Sequence, residues 1–216
     1  MEHDETDGLF ITFEGPDGAG KSRQAAALVE RLRETRREIV LTREPGGTAL
    51  GERIRTLLLE ISSEEHDPLS DALLFMAARR RHVGELIRPA LERGAIVVCD
   101  RYADSTFAYQ GYGDGIPLDS LRTLAAIATG GLLPTRTILI DVSAAEGLTR
   151  RQMGAAMDLT RFELADAHGI AFHERVRKGY LELAAAEPER WRVVDGAGEA
   201  GEVAARIWSA LADLVA

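Results

Sequence analysis

The sequence predicts an α/β protein with a five-stranded parallel sheet and helices on both faces. Short apolar runs alternate with longer helical stretches along the 216 residues, and the central runs are continuously apolar rather than alternating. Continuous apolar runs are typical of parallel strands covered on both sides, and β–α alternation favours a doubly wound sheet. No repeat or Pro/Gly/Ser-rich linker divides the chain, so we expect a single domain over residues 1–216.

Five runs are predicted strands: residues 9–14, 38–43, 95–100, 137–142 and 192–194. Three early helices are predicted from apolar residues at helical spacing. Their expected faces are Ala25, Leu28, Val29 and Leu32; Leu50, Ile54, Leu57 and Leu58; and Leu73, Leu74 and Ala77. Later helices are expected over residues 118–129, 163–186 and 202–215.

Composition excludes several classes of protein. A net charge of −9 and a pI of about 5.1 argue against a nucleic-acid partner, which would call for a basic face. No apolar run reaches the roughly 20 residues that cross a bilayer, and the acidic start lacks the features of a secretory signal. Cys99 is the single cysteine and cannot form an internal disulfide. We therefore expect a cytoplasmic protein without membrane or nucleic-acid partners.

The strongest motif directly follows the first predicted strand and opens a helix. It matches G-x-x-x-x-G-K-[ST], the phosphate-binding loop of P-loop NTPases. Backbone N–H groups of such a loop wrap an anion, the lysine reaches the β- and γ-phosphates of ATP, and the serine hydroxyl binds Mg²⁺. The residues predicted to bind ATP are Gly15, Pro16, Asp17, Gly18, Ala19, Gly20, Lys21 and Ser22. Only two of the 26 basic residues are lysines, and Lys21 is one of them.

An arginine lies beside a carboxylate at the ends of two predicted strands, as Arg43-Glu44 and Asp100-Arg101. Arginine offers a bidentate fork to phosphate, and a carboxylate can hold that fork in place. Ligands of doubly wound sheets bind beyond the carboxyl ends of the strands, where both pairs fall. Asp17 has two interpretations: a turn-forming residue in Pro-Asp-Gly, or a carboxylate that orients an arginine.

Four segments, taken in order, resemble the successive signatures of thymidylate kinases. They are Phe-Glu-Gly-Pro-Asp-Gly-Ala-Gly-Lys-Ser (13–22), Thr-Arg-Glu-Pro-Gly-Gly-Thr (42–48), Leu-Leu-Phe-Met-Ala-Ala-Arg-Arg-Arg-His (73–82) and Asp-Arg-Tyr-Ala-Asp-Ser-Thr-Phe-Ala-Tyr-Gln-Gly (100–111). The resemblance runs from about residue 9 to the C-terminus. It implies transfer of the γ-phosphate of ATP, with Mg²⁺, to dTMP for dTTP synthesis, and it implies a homodimer.

The resemblance also implies roles for individual residues around the acceptor phosphate. Arg79 and Arg101 would bind the phosphate of dTMP, although Arg79 lies in a charge run that would otherwise be a solvated face. Asp17 would position an arginine near the acceptor. Glu44 and Asp100 would help to place the phosphate-binding arginines and Mg²⁺, with Asp100 joining Ser22 as a metal site.

For the nucleoside, the resemblance implies that Phe75 stacks on thymine. Without the resemblance, the helical spacing of Phe75 would indicate a core residue. Tyr109 would pack against the deoxyribose and disfavour ribonucleotides. The further residues implied to enclose the nucleoside are Pro45, Leu58, Ser105, Thr106 and Gln110. Adenine recognition is expected near residues 195–198.

Family members close a flexible lid over ATP, expected here at about residues 150–161. Gly18-Ala19 places no arginine in the phosphate loop, as in bacterial members that supply a catalytic arginine from the lid. Arg150, Arg151 and Arg161 are the candidates, and Arg151 is favoured.

Two other functions stay open at this point. A deoxynucleoside kinase would need a carboxylate base for its hydroxyl acceptor. A nucleotide-binding regulatory module without transfer would fit the irregular sequence of the lid.

Overall fold

In a computed structural model, residues 8–59, 67–154 and 169–215 are described. Their five strands form one parallel sheet in the order β2-β3-β1-β4-β5. The strands are β1 (Leu9–Glu14), β2 (Ile39–Arg43), β3 (Ile96–Asp100), β4 (Arg136–Asp141) and β5 (Trp191–Asp195). The predicted five-stranded parallel sheet is confirmed, and every strand boundary lies within one residue of its prediction.

The α-helices surround this sheet. They are α1 (Lys21–Leu32), α2 (Ala49–Leu59), α3 (Pro68–His82), α4 (Arg88–Glu92), α5 (Ala103–Thr106), α6 (Leu118–Thr129), α7 (Ala144–Gly154), α8 (Gly169–Ala186), α9 (Ala200–Ala210) and α10 (Ala212–Val215). A 3₁₀ turn, Arg33–Thr35, follows α1. Helical turns of π geometry, Val83–Ile87 and Phe107–Gly113, join α3 to α4 and follow α5.

The core lies on both faces of β1, the central strand, whose six residues are all buried. Ile11 and Phe13 pack with residues of α1 and α9, whereas Phe10 on the opposite face packs with Val97 and Tyr102. Successive residues of a strand point to opposite faces, so a strand covered on both sides must be apolar throughout. The loop that follows β1 is thereby fixed by the most deeply buried strand in the sheet.

The predicted apolar faces of α2 and α3 are partly wrong. Leu50, Leu57 and Leu73 are 39%, 56% and 49% exposed, and Ala77 is also exposed. In α3 the buried positions include a charged residue, Arg79, which an apolar periodicity does not place inward. These leucines are instead exposed on the outside of α2 and α3.

The sequence did not predict α7, although Ser143 and Glu146 have the spacing of a capping box and the N–H of Glu146 donates to Ser143 Oγ at 3.2 Å. Residues 150–154 of the predicted lid belong to this helix. The remainder of the predicted lid, and residues 163–168 of the predicted long helix, lie outside the described residues. Within the described ranges, no helix is both long and apolar enough to cross a membrane.

Candidate active site

The phosphate loop runs from Gly15 to the start of α1. Gly15, Gly18 and Gly20 have φ values of 143°, 74° and 89°, which favour glycine. The first N–H groups of α1 face the loop, where they and the helix dipole favour an anion. Lys21 folds back over the loop, and its Nζ donates to the carbonyls of Gly15 and Pro16 at 2.9 and 2.8 Å. Burial and the nearby Arg101 lower the pKa of Lys21 to about 8, so its ammonium is largely charged at pH 7.

Ser22 and Asp100 meet where β1 and β3 run side by side, with Phe13 opposite Asp100. Ser22 Oγ donates to Asp100 Oδ2, whereas the buried Asp100 Oδ1 has no hydrogen-bond partner among the described residues. A hydroxyl oxygen and a carboxylate with an unused oxygen suit Mg²⁺, which takes few protein ligands and completes its shell with phosphates and water. This donor set therefore fits the ion that the sequence predicts.

Asp17 contacts two arginines. Its Oδ1 lies 2.5 Å from Arg101 Nη2, and its Oδ2 lies 3.2 Å from Arg151 Nη1. Burial raises the pKa of Asp17, but the positive charges of Arg101, Lys21 and Arg151 outweigh burial and lower the pKa to about 2. The carboxylate is thus ionised, and of the two interpretations of Asp17 its contacts favour the one in which it orients arginine.

Arg151 reaches the loop because α7 packs against the loop backbone. A Cβ on Gly18 would lie 1.9 Å from the carbonyl oxygen of Gly147, and one on Gly147 would lie 2.4 Å from the carbonyl oxygen of Asp17. Only glycines allow this approach. Arg150 points elsewhere: it donates to the Gly196 carbonyl at 3.0 Å, near the predicted adenine region. Arg161 lies outside the described residues.

Arg101 is the centre of a hydrogen-bond network, with 20% of its side chain exposed. Its Nη1 donates to Ser105 Oγ at 3.1 Å and to the Tyr180 hydroxyl at 3.3 Å, and its Nη2 donates to the Tyr109 hydroxyl at 3.1 Å. Ser105, predicted near the base, thus contacts Arg101. Tyr180 on α8 was not predicted, because no motif surrounds it.

Arg79 occupies a closed cluster at the end of β2. Its Nε lies 2.7 Å from Glu44 Oε2, and Glu44 Oε1 lies 2.9 Å from His82 Nδ1. Arg79 also donates to Thr106 Oγ1 at 3.2 Å and to the Tyr102 carbonyl at 3.0 Å, and only 2% of its side chain is exposed. Burial raises the pKa of Glu44, but Arg79 and His82 outweigh it and lower the pKa. Arg79 as a phosphate ligand stays a prediction, with its guanidinium enclosed by protein groups.

The predicted nucleoside residues differ in accessibility. Phe75 is half-buried against Ile54 and Leu58, whereas Leu58 is fully buried and Gln110 is 5% exposed. Phe75 therefore presents surface, as do the partly exposed Pro45 and Tyr109. Thr106 is buried beneath Arg79.

The sequence did not single out Arg55, on α2. Its Nη1 donates to the Pro45 carbonyl at 3.0 Å. Burial and the neighbouring positive charge of Arg43 lower its pKa, and Arg101 acts in the same direction. Several guanidinium groups therefore converge beyond the ends of β2 and β3, an arrangement that favours an anionic ligand.

The loop and the charges around it place the chain among P-loop phosphotransferases, whose catalysis depends on positioning and on neutralising phosphate charge. Comparison with known proteins narrows this class. The family model described as thymidylate kinase matches residues 13–207. The chain belongs to the thymidylate kinase family.

Individual relatives agree with that membership. The chain is 53% identical over 196 residues to a thymidylate kinase of Roseiflexus sp. (strain RS-1), covering 87% of this chain and 86% of that protein. It is 52% identical to a thymidylate kinase of Thermomicrobium roseum over 95% of each chain. The crystal structure of thymidylate kinase from Ehrlichia chaffeensis, 36% identical, matches with a TM-score of 0.75 over 95% of this chain and 99% of that one.

Proposed function

We propose that this protein transfers the γ-phosphate of ATP to dTMP, giving ADP and dTDP for dTTP synthesis. The observation that carries the proposal is the Asp17–Arg101 pair, which presents a partly exposed guanidinium beside the phosphate loop. A guanidinium in this place suits an acceptor that is already an anion.

The same pair disfavours a deoxynucleoside kinase. A hydroxyl acceptor needs a general base whose pKa lies near the working pH. Asp17, with a pKa of about 2 and two arginine partners, is a weak base. Glu14 has a pKa of about 7 but is fully buried behind other side chains. The phosphate of dTMP needs no such base.

In the proposed mechanism, loop N–H groups and Lys21 hold the β- and γ-phosphates of ATP. Ser22 and Asp100 would hold Mg²⁺, which supplies positive charge to the phosphate oxygens when bound. Arg101 binds the acceptor phosphate, and Arg151 stabilises the charge that develops on the transferred group. Asp17 orients both arginines, so catalysis depends on alignment of the reactants and on electrostatic stabilisation of the transition state.

For the nucleoside, we propose that thymine stacks on Phe75 beside Pro45 and that Tyr109 occupies the space of a ribose 2′-hydroxyl. Their partial exposure supports these roles. We add Arg55 to the predicted phosphate ligands, because it lies beside Pro45 and within the electrostatic reach of Arg101.

We also propose that the protein is a cytoplasmic homodimer. Large apolar side chains on three adjacent helices are exposed: Leu50 and Leu57 on α2, Leu69 and Leu73 on α3, and Ile127 on α6. Apolar surface marks a protein interface where it is contiguous, and α3 packs against both α2 and α6. Leu73→Lys should give a monomer in light scattering, whereas Val193→Lys on β5, a control of similar exposure, should not.

The activity is tested by coupled ADP release with MgATP and a panel of dTMP, dUMP, dCMP, AMP and thymidine. Preference for dTMP supports the proposal. Preference for thymidine would favour a nucleoside kinase, and nucleotide binding without acceptor-dependent release would favour a regulatory module.

Lys21→Ala should abolish turnover and keep the wild-type circular dichroism spectrum. A Lys21→Ala protein with near-normal activity would remove Lys21 from the mechanism.

A further inference from the structure

Glu14 is a buried carboxylate that the proposed mechanism does not use. It ends β1, directly before the phosphate loop, and none of its side chain is exposed. The backbone N–H of Tyr102 donates to its Oε1 at 2.7 Å. The hydroxyls of Ser105 and Tyr180 donate to its Oε2 at 2.6 and 2.9 Å. Three donors, two from the segment after β3 and one from α8, therefore meet on one carboxylate.

Both hydroxyls also contact Arg101. Arg101 Nη1 donates to Ser105 Oγ at 3.1 Å and to the Tyr180 hydroxyl at 3.3 Å. A hydroxyl has one hydrogen, and once that hydrogen is directed to Glu14, the oxygen lone pairs can face the guanidinium. Glu14 thus orients both hydroxyls as acceptors for Arg101.

Glu14 also fixes the backbone next to Arg101. The φ of Arg101 is 70°, in the left-handed region that a non-glycine residue adopts only when its surroundings enforce it. The Arg101 N–H donates to the Phe13 carbonyl at 2.9 Å, and the next N–H, that of Tyr102, donates to Glu14. The last two residues of β1 therefore hold the backbone on both sides of this strained position.

We propose that Glu14 is a positioning residue for the acceptor arginine. Acting through Ser105, Tyr180 and the N–H of Tyr102, it holds Arg101 in the orientation that meets the phosphate of dTMP. The proposal rests on the proposed function and deepens it. Because Tyr180 belongs to α8, the same contacts join that helix to the acceptor site.

Protonation of Glu14 provides a readout. Burial and the nearby charge of Asp104 raise its pKa to about 7, although Ser105 and Arg101 oppose the shift. Among the described residues, Lys21, Cys99 and Tyr180 also lie within its electrostatic reach. A protonated Glu14 carries its own hydrogen, so it no longer directs both hydroxyls towards itself. Activity should therefore fall below about pH 7.

The test measures kcat and KM for dTMP and for ATP in Glu14→Gln, Ser105→Ala and Tyr180→Phe. The control is Tyr112→Phe, which also removes a phenol hydroxyl bonded to a carboxylate, that of Glu182. We expect Glu14→Gln to lower kcat/KM for dTMP about 10- to 100-fold, with KM for ATP nearly unchanged. Ser105→Ala and Tyr180→Phe should each lower kcat/KM for dTMP by a smaller factor, and Tyr112→Phe should leave it unchanged.

Two comparisons separate positioning from a purely structural role. The double variant Glu14→Gln/Tyr180→Phe should lose little more than Glu14→Gln alone, because both changes break one chain of contacts. The fall in rate on the acid side of about pH 7 should also be weaker in Glu14→Gln than in the wild type. A phosphate monoester such as dTMP titrates near pH 6, so the two proteins are compared at each pH.

Wild-type kcat/KM for dTMP in both Ser105→Ala and Tyr180→Phe would overturn the proposal, even if Glu14→Gln failed to fold. So would equal losses for ATP and dTMP, or additive losses in the double variant. Failure of the proposed function shows separately, as a wild-type protein without dTMP-dependent ADP release. Calorimetric affinity for dTMP in the same variants then tests the positioning: weaker binding than in Tyr112→Phe supports it, and equal binding overturns it.

Discussion

Two arginine–carboxylate pairs lie at neighbouring strand ends and have nearly the same contact distance, yet they differ in access. Glu44 and Arg79 are 2.7 Å apart and 5% and 2% exposed, whereas Asp17 and Arg101 are 2.5 Å apart and 23% and 20% exposed. His82, Thr106 and Tyr102 occupy the remaining groups of the first pair. The second pair faces the phosphate loop. Enclosure by protein groups favours a structural role for the first pair, and partial exposure leaves the second available to a ligand.

Replacing the open arginine should have the largest effect on activity. Arg101→Ala should lower kcat/KM for dTMP by about 10³-fold or more, because a bidentate guanidinium contact loses two charge-assisted hydrogen bonds to the acceptor phosphate at once. Steady-state kinetics give this value, with Arg93→Ala, an exposed arginine paired with Glu38, as the control. A loss below tenfold would contradict the assignment of Arg101 to the acceptor phosphate.

Replacing the closed arginine should act mainly on stability. Arg79→Met leaves the buried Glu44 without its main partner, which typically costs about 3–5 kcal/mol in the free energy of unfolding. Urea unfolding measures this loss. Glu44→Gln added to Arg79→Met should recover part of it, since no buried charge is then left unpaired. If Arg79→Met kept its stability and lost dTMP binding, Arg79 would be a phosphate ligand and the contrast between the two pairs would fail.

Arg151 is the second arginine that contacts Asp17, and its replacement tests whether it acts on the transferred phosphate. Arg151→Ala should lower kcat about 100-fold with little change in KM for dTMP, as when one group that stabilises the transition state is removed. Arg150→Ala is the control, because Arg150 is directed to the Gly196 carbonyl. An unchanged kcat in Arg151→Ala would move the role to Arg150 or Arg161.

Glu14 gives the smallest effect, a change in stability with pH. Its carboxyl loses its proton near pH 4.5 in the unfolded chain but only near pH 7 in the fold. Between these values the unfolded state binds fewer protons, so this residue makes stability fall as pH rises. Glu14→Gln lacks this contribution. The difference in melting temperature, Glu14→Gln minus wild type, should therefore increase from pH 5 to pH 8. A constant difference in thermal denaturation would contradict the raised pKa.

The sheet and the phosphate loop could both be predicted from local sequence patterns. The strands were predictable because continuous apolar runs are local patterns, and the loop because its glycines, Lys21 and Ser22 are adjacent in the chain. The exposure of the leucines on α2 and α3 could not be predicted, because apolar periodicity identifies one face of a helix but not what packs against that face. The burial of Arg79 was not predictable either. This charged side chain is buried because it pairs with Glu44, which lies 35 positions away in the sequence.

Which side chains contact one another in the site depends on the packing of elements that are distant in the chain. Asp17 contacts Arg101 and Arg151, which are 84 and 134 positions away, and Glu14 contacts Tyr180, 166 positions away. Hydrogen-bond partners so far apart depend on strand order and on how helices pack over the sheet. The burial that raises the pKa of Glu14, and the partial exposure that leaves Arg101 open to a ligand, likewise arise when separate elements pack together.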